Sequence, residues 1–570
     1  MRHRAILCGV LLWTALLPPA VCRAGQGPER YFAIEVVDEE TGRGVPLVEL
    51  RTVNEVCYYT DSAGVVAFYE PGLMDREVFF HVRSHGYEFP KDGFGFRGKR
   101  LRTTPGGTAR IAVKRKNIAE RLYRITGQGI YRDTVLVGRR PPTREPVLNG
   151  RVLGQDSVMA LPYRGKIYWF WGDTSRESYP LGHFAVSGAT SELPGKGGLD
   201  PSVGVDLVYF VDDEGFSRKM APLPEHGMVW LDGFLTLPDD SGRERLVAHY
   251  ALMKSLGERL EHGLMVFSDE KAVFERLVRL DDKVRLHPQG QAFRVTTGGQ
   301  AYWYFAQPYP FVRVKADWAA WRDPAAYEAF TCLASGGDYQ ADSPPLDRGP
   351  DGRLVWGWKR NTAALDVKQH QELVSGGKIR ADEAWINLRD ADGGKAVHAH
   401  RASVHWNPFR RRWIMILCEF WGTSALGEIW YSEADAPEGP WRLARKIVTH
   451  EKYSFYNPAQ HPFFDQEGGR IVYFEGTYTK AFSGADVATP RYDYNQIMYR
   501  LDLSDPRLAL PMSGPRGEAS AERLFHMPWV AGVPARHPAW PSSSRPVGRF
   551  TRRRQARRAR SVGPLIARKE

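Results

Sequence analysis

The sequence predicts an all-β protein in which a small β-sandwich precedes a five-bladed β-propeller. Aromatic residues make up 12% of the 570 residues, beside 56 Gly and 39 Pro, a composition typical of short strands joined by turns. Runs of alternating apolar and polar residues begin at Tyr31, and from Asp156 onward a hairpin-like unit recurs five times. A large irregular β-sandwich is the alternative architecture for the repeated part.

The N-terminus has the pattern of an export signal, which predicts a secreted protein, periplasmic or extracellular. An Arg-containing start precedes the apolar range 5–21, and Ala24 fits the last position before cleavage, so we predict a signal peptide over 1–24. The apolar range is shorter than the roughly 20 residues of a membrane-spanning helix, and two prolines interrupt it. A retained anchor and a lipid anchor at Cys22 are the alternatives. We expect no membrane span in the mature chain.

The net charge of +12 comes from the two ends of the chain. Residues 1–24 contribute +3 and residues 545–570 contribute +9, so the residues between them are electrically balanced. A balanced body does not favour a nucleic-acid partner. We predict that residues 509–570 form a linker and a basic, disordered tail.

Residues 30–115 contain about six short alternating strands, the pattern of a β-sandwich. The turn Thr60-Asp61-Ser62-Ala63-Gly64, placed between two strands, resembles the transthyretin-like and carboxypeptidase-regulatory-like domains of secreted bacterial proteins. That resemblance implies a spacer or mount rather than a chemical site. Residues 116–149 are predicted to be a connector with a short helix over 118–123.

Neither the cysteines nor the histidines predict a metal site or a cofactor. Outside the leader the chain has Cys57, Cys332 and Cys418, which are widely spaced and are predicted to be buried and unpaired. His398 and His400 alternate along one strand, and no third ligand lies near them in the sequence.

Residues 150–508 are predicted to form the propeller, because each repeated unit contains a polar residue, a short strand, a turn, an apolar strand and a second polar residue. The predicted strand pairs are 157–161 with 167–171, 233–237 with 246–251, 292–296 with 301–305, 402–406 with 413–417, and 462–464 with 471–474.

An antiparallel hairpin places the residue before its first strand beside the residue after its second strand. In a propeller all inner hairpins share that end, so the polar residues should meet on one face around the centre. Carboxylates that converge among aromatic residues are typical of glycosidic bond cleavage, in which one carboxyl donates a proton and another attacks or activates water. The predicted catalytic residues are Asp156, Asp173, Glu475 and Glu419. The predicted substrate-binding residues are Asp232, His287, Gln307, His400, Asn457, His461 and Trp171.

Two motifs resemble known families. The segment Gly154-Gln155-Asp156-Ser157, followed by Tyr168-Trp169-Phe170-Trp171-Gly172-Asp173-Thr174, resembles the opening blade of domain-of-unknown-function family 4185, some members of which are endo-D-arabinanases of glycoside hydrolase family 183. The segments 430–434 and 437–441 resemble outer strands shared by five-bladed glycosidases such as families 43 and 32. The resemblance covers roughly residues 145–505 and implies that Asp156 and Asp173 are the catalytic carboxylates.

The sequence therefore predicts a glycoside hydrolase that cleaves an arabinan-type or other polysaccharide with paired carboxylates. The alternative is a non-catalytic carbohydrate-binding or cell-surface scaffold protein that uses the same face. A polysaccharide is the expected partner in both cases.

Overall fold

The structure is a computed structural model, and it describes residues 27–183 and 185–511. The predicted signal peptide and nearly all of the predicted tail lie outside the described residues. Within the described residues the chain is almost entirely β-structure, with three short α-helices: α1 (Arg132–Leu136), α2 (Trp318–Arg322) and α3 (Val367–Ser375). The predicted all-β class is confirmed.

The first part of the chain is a sandwich of two four-stranded sheets. Its strands are β1 (Phe32–Asp38), β2 (Glu49–Thr52), β3 (Cys57–Tyr59), β4 (Val65–Phe68), β5 (Glu77–Arg83), β6 (Tyr87–Glu88), β7 (Gly98–Arg102) and β8 (Thr108–Arg115). One sheet has the order β4-β1-β8-β6 and the other the order β3-β2-β5-β7. Alternate residues of both sheets, such as Ile34 and Phe80, point into one shared apolar core.

The repeated part of the chain continues the strand series. After β9 (Glu120–Arg124), its strands are β10 (Val152–Gln155), β11 (Met159–Tyr163), β12 (Lys166–Trp171), β13 (Thr174–Arg176), β14 (Tyr179–His183), β15 (Ser187–Glu192), β16 (Val208–Tyr209), β17 (Met228–Pro238), β18 (Glu244–Ser255), β19 (Glu258–Ser268), β20 (Val273–Leu280), β21 (Gln291–Thr297), β22 (Gln300–Ala306), β23 (Val312–Lys315), β24 (Glu328–Thr331), β25 (Gly357–Arg360), β26 (Arg389–Asp390), β27 (Ala399–Asn407), β28 (Arg412–Glu419), β29 (Ile429–Ala434), β30 (Leu443–Val448), β31 (Ser454–Gln460), β32 (Ile471–Thr479) and β33 (Asn495–Asp502).

These strands form sheets that follow one another along the chain, as propeller blades do. Their orders are β11-β12-β15-β16, β17-β18-β19-β20, β21-β22-β23-β24-β25, β26-β30-β29-β28-β27 and β31-β32-β33-β9, with a small additional sheet β10-β13-β14. The first strands contact one another in the order β11, β17, β21, β27, β31. Because the additional sheet lies outside this simple series, the number of blades stays a prediction.

Two hydrogen bonds join the last of these sheets to the first. The backbone N–H of Ser157 donates to Thr477 Oγ1 at 2.9 Å, and Asn457 Nδ2 donates to Ser157 Oγ at 2.7 Å. The two ends of the repeated part therefore meet beside Asp156.

Two local predictions are wrong. Residues 118–123 were expected to be helical, but Glu120–Arg124 is the outer strand β9, which pairs with β33. Leu122 and Tyr123 are buried there, so apolar packing favours an extended backbone over the helical pattern. Residues Pro462–Phe464 form a 3-10 helix, and the first strand of the fifth unit is Ser454–Gln460.

The long interval between the third and fourth hairpins holds an insertion that includes α3 and has its own apolar cluster around Cys332, Leu365 and Leu373. Cys332 and Cys418 are buried as predicted, but Cys57 is exposed, because it begins a short strand on the surface of the sandwich.

In the part of the chain that the structure describes, no helix has the length and apolar character needed to cross a bilayer.

Candidate active site

Asp156 and Asp173 lie side by side where the first hairpin ends. The backbone N–H of Gly172 donates to the carbonyl oxygen of Asp156 at 2.8 Å, which closes the hairpin as the sequence pattern predicted. The next N–H, that of Asp173, donates to Asp156 Oδ1 at 3.1 Å. A Cβ at position 172 would collide with that same oxygen, so glycine at 172 lets the carboxyl approach the backbone.

Two tyrosines that sequence reasoning missed surround the Asp156 carboxyl. Tyr456 Oη donates to Asp156 Oδ2 at 2.7 Å, and Tyr494 also hydrogen-bonds this carboxyl. Burial raises the pKa of Asp156, while the hydrogen bonds from Tyr456 and the Asp173 N–H oppose that rise by stabilising the charged form. Asp156 therefore accepts several hydrogen bonds, and these favour its charged form.

Asp173 has a less polar environment. The indole Nε1 of Trp230 donates to Asp173 Oδ1 at 2.9 Å. Burial, helped by the nearby negative charge of Asp156 and opposed by the Trp230 hydrogen bond, raises the pKa of Asp173 to about 7. Asp173 therefore retains a proton over much of the neutral range, which an unperturbed aspartic acid does not.

The backbone is strained around this pair of carboxyls. Ser157, Asn457 and Tyr494 have positive φ values of 56°, 50° and 59°, in the left-handed region that non-glycine residues seldom adopt. Strain of this kind persists where the surrounding structure imposes it, and it clusters at functional sites. Asn457, a predicted substrate-binding residue, lies beside the pair through its hydrogen bond to Ser157.

Asp232 is the centre of a second polar group. Its Oδ1 accepts hydrogen bonds from the backbone N–H groups of Gly233 and Gly290, both at 2.9 Å, and its Oδ2 lies 3.7 Å from Arg401 Nη1. Arg401 also donates to Gln307 Oε1, so the structure brings together the predicted residues Asp232 and Gln307. Arg401 was missed, because the repeat pattern selected its neighbour His400.

Trp230 connects the pair of Asp156 and Asp173 with the polar group around Asp232. It precedes Asp232 by two residues in β17, and alternate residues of a strand point to the same face. The same alternation, applied to Asp232 in the sequence, would have identified Trp230.

Glu419 and His400 lie near one another at the end of the fourth hairpin, as predicted, but Glu419 has a partner other than the aspartates. Trp430 Nε1 donates to Glu419 Oε2 at 2.8 Å, and burial raises the pKa of this half-buried carboxyl. His400 packs on Phe420, the residue after Glu419, and burial lowers the pKa of His400 to about 4.

Three predicted site residues lie in the protein core instead of on an open face. Glu475 is 0% exposed, and its Oε1 is 2.8 Å from His461 Nε2, which is also buried. Burial raises the pKa of Glu475, and the hydrogen bond to His461 only partly opposes this rise. Trp171 is 1% exposed and stacks parallel to Trp169. The fifth hairpin begins earlier than predicted, so Glu475 falls in the middle of β32 and His461 at the turn end of the hairpin.

His287 belongs to a different cluster. Its ring stacks on His249 with centroids 4.1 Å apart, and His262 lies within 5.1 Å of it. Among the described residues these three histidines are the group of potential metal ligands whose nitrogen atoms lie close together, within 4.8 Å of one another. No sequence pattern indicated this cluster, since its members come from separate strands and a loop. His398 is not part of this group, and its Nδ1 lies 2.6 Å from Gln371 Nε2.

Two exposed aromatic side chains lie near Tyr456 and Glu419. Phe482 is 66% exposed, and its ring centroid is 6.0 Å from that of Tyr456. Trp421, which follows Glu419 by two residues, is 73% exposed. Both have positive φ values, 58° and 64°, so the backbone holds them in strained positions. Exposed rings offer apolar faces on which the C–H face of a sugar can pack.

No protein-family model matches the chain, and no curated protein matches it. Similar solved structures include a protein from Bacteroides ovatus with 14% identity and a TM-score of 0.38, covering 61% of this chain and 86% of that chain. The GH43_1 enzyme from Xanthomonas citri, complexed with xylotriose, has 10% identity and a TM-score of 0.30, with coverage of 62% and 88%. An exo-1,5-α-L-arabinanase from a bovine ruminal metagenomic library has 10% identity and a TM-score of 0.31, with coverage of 62% and 94%. Likeness at this level does not establish an activity for this chain.

Proposed function

We propose that this protein is an exported glycoside hydrolase that cleaves a polysaccharide with Asp156 and Asp173. The observation that carries the proposal is the contact between two aspartates with different environments. Asp156 accepts several hydrogen bonds, and Asp173 accepts one and has a pKa raised to about 7. Two neighbouring carboxyls whose environments separate their protonation states are the usual basis of acid–base cleavage of a glycosidic bond.

The environments assign the roles. Burial raises the pKa of Asp156, but hydrogen bonds from Tyr456, Tyr494 and the Asp173 N–H oppose that rise, so we assign Asp156 as the group that attacks the anomeric carbon or activates water. Asp173 is disfavoured as a second anion by burial and by the charge of Asp156, so Asp173 holds the proton that passes to the leaving oxygen. As that bond breaks, the leaving sugar takes the proton from Asp173.

An arabinan-type polysaccharide is the proposed substrate. Support comes from the likeness of 154–157 and 168–174 to the opening blade of domain-of-unknown-function family 4185. The exposed rings of Phe482, which lies against Tyr456, and of Trp421 offer aromatic faces on which the sugar units of a polymer can pack. Export is proposed from the N-terminal sequence, and it agrees with a polymeric substrate that does not enter cells.

The test is a polysaccharide panel, arabinans included, incubated with the wild-type protein, Asp156→Asn and Asp173→Asn. Asp213→Asn is the matched control, because Asp213 is exposed in a turn away from the pair. Reducing ends should appear with the wild type and the control, and the rate should fall about 10²–10⁴-fold in Asp173→Asn, the usual contribution of a general acid.

Full activity in Asp173→Asn would overturn the assignment of the acid. A wild-type protein that binds a polysaccharide and releases no reducing ends would instead support the scaffold alternative, with Asp156 and Asp173 acting as ligand-binding groups.

A further inference from the structure

Three buried histidines converge between the second and third of the propeller sheets. His249 lies in β18 and His262 in β19, and His287 lies in the loop before β21. Their exposed fractions are 5%, 0% and 9%. Neither the repeat pattern nor the proposed hydrolysis uses them as a group.

The hydrogen bonds identify which ring nitrogens carry the lone pairs that a metal ion would use. His262 Nε2 lies 3.2 Å from the carbonyl oxygen of Asp281, and a carbonyl only accepts, so that nitrogen carries the proton. His262 Nδ1 therefore accepts the hydrogen bond that His249 Nε2 donates from 3.0 Å away, so His249 must take the tautomer protonated on Nδ1 when an ion binds between these two nitrogens. Carbonyl oxygens that hold the far nitrogen of each ring are the usual second layer of a histidine metal site.

His287 has the same arrangement. Its Nδ1 lies 3.2 Å from the carbonyl oxygen of Pro288, which leaves the lone pair on Nε2. In the structure Gln289 Nε2 lies 3.1 Å from this nitrogen and occupies its lone pair. Gln289 therefore competes with an ion for His287.

The chemistry of the cluster also fits a cation. Imidazole is the commonest metal ligand in proteins, and one nitrogen from each of the three rings lies within 4.8 Å of the others. Arg259, a positive charge near the cluster, faces Asp282, with Arg259 Nη2 and Asp282 Oδ1 3.5 Å apart.

We infer that His249, His262 and His287 form a binding site for a divalent transition-metal ion of the zinc class. Imidazole nitrogens prefer Zn²⁺, Co²⁺, Ni²⁺ and Cu²⁺ over Mg²⁺ and Ca²⁺, which prefer oxygen ligands. The stacked rings of His249 and His287 must turn apart when the ion binds, because stacking keeps their lone pairs parallel. Breaking the Gln289 hydrogen bond allows that rotation.

The ion has a structural role in this proposal. The loop after His287 donates the Gly290 N–H to Asp232, so an ion on His287 holds this loop against the strands β18 and β19. The inference is independent of the proposed hydrolysis, since it concerns a different set of side chains.

The test uses full-length protein without a histidine tag, because the imidazoles of a tag would themselves bind the ions. Purified protein is titrated with Zn²⁺ by calorimetry and with Co²⁺ by visible absorption, and Ca²⁺ serves as the comparison ion. We expect one ion of Zn²⁺ or Co²⁺ per chain, no heat with Ca²⁺, and a higher melting temperature in Zn²⁺.

Four variants decide the assignment. His262→Ala and His287→Gln should lose binding and the rise in melting temperature, and Gln289→Ala should bind more tightly because it frees His287 Nε2. His370→Ala, which removes a buried histidine from α3, should bind as the wild type does. If His262→Ala does not fold, His287→Gln decides alone. Absence of a stoichiometric ion in the wild type, or unchanged binding in His287→Gln, would overturn the inference.

Discussion

The chemistry proposed for this protein depends on how few donors reach Asp173. One indole N–H reaches its carboxyl, whereas Asp156 accepts from a tyrosine hydroxyl and a backbone N–H and is also hydrogen-bonded by Tyr494. Burial raises the pKa of both aspartates, and the larger number of donors at Asp156 opposes that rise more than the single indole N–H does at Asp173.

Because the pKa of Asp173 is raised, this residue lowers the free energy of unfolding above neutral pH. The folded state holds this proton up to pH about 7, whereas an unfolded aspartic acid releases it near pH 4. The folded state binds more protons between these values, so stability falls as pH rises through this window and stays low above it. Asp173→Asn should therefore melt at a higher temperature than the wild type at pH 8, and the difference should shrink as pH approaches 4. Thermal unfolding at both pH values measures this effect; a difference independent of pH would contradict it.

The hydrogen bond from Trp230 lowers the pKa of Asp173. Its N–H stabilises the charged form of Asp173, so Trp230→Phe, which keeps most of the ring and removes the donor, should raise the pKa of Asp173 further. The alkaline limb of the kcat/KM profile, where the acid loses its proton, should then move to higher pH. A profile that loses height without moving would mean that Trp230 only packs against the substrate.

At the scale of elements, the segment before β33 links the sandwich to the candidate active site. Tyr492 Oη donates to the carbonyl oxygen of Thr60 at 2.6 Å and accepts from the N–H of Leu47 at 3.2 Å, both in the sandwich. Two residues later, Tyr494 hydrogen-bonds Asp156. The sandwich thus supports the segment that presents Tyr494, beyond the spacer role predicted from its likeness to transthyretin-like domains.

Tyr492→Phe removes both hydrogen bonds and keeps the ring. We expect a loss of about 1–3 kcal/mol in the free energy of unfolding, the usual net worth of two hydrogen bonds, together with a lower kcat at unchanged KM because Tyr494 is held less firmly. Tyr473→Phe is the control, since it removes a comparable hydrogen bond, to Gln466, away from the aspartates. Equal effects of the two variants on kcat would show that Tyr492 does not position Tyr494.

At the scale of the whole molecule, a strand from outside the repeated part completes its last sheet. β9 precedes the first propeller sheet in the chain and pairs with β33 of the last, and the described residues belong to one compact unit. This arrangement ties the last sheet to the N-terminal side of the chain, as the closing strand of a ring does.

A chain of residues 126–511 should therefore fold poorly, although it contains nearly the whole predicted propeller. It lacks β9, leaves the edge of β33 unpaired, and loses Leu122 and Tyr123, whose burial contributes about 1.5–3 kcal/mol for each side chain. A chain of residues 116–511, which keeps β9 and lacks the sandwich, should be soluble and melt at a higher temperature than 126–511. Equal melting temperatures would mean that β9 is dispensable.

Much of the fold follows from local sequence patterns. Alternating apolar residues and turn residues predicted the sandwich strands and four of the five inner hairpins, because both signals act over a few residues. The contact of Asp156 with Asp173 was predicted in the same way, since hairpin geometry relates the residue before one strand to the residue after the next. The fifth hairpin was misplaced, and Glu475 and His461 with it, because Pro462–Phe464 has strand-like composition in a segment that forms a 3-10 helix.

The sequence by itself determined the all-β class, the order of sandwich and repeats, and the meeting of Asp156 with Asp173. Only the tertiary structure decided that Tyr456, Tyr494 and Trp230 surround that pair, that Glu475 is buried, and that three histidines converge elsewhere. The reason is physical: strand and hairpin formation depend on neighbouring residues, whereas burial, pKa and ligand geometry depend on which distant strands pack together.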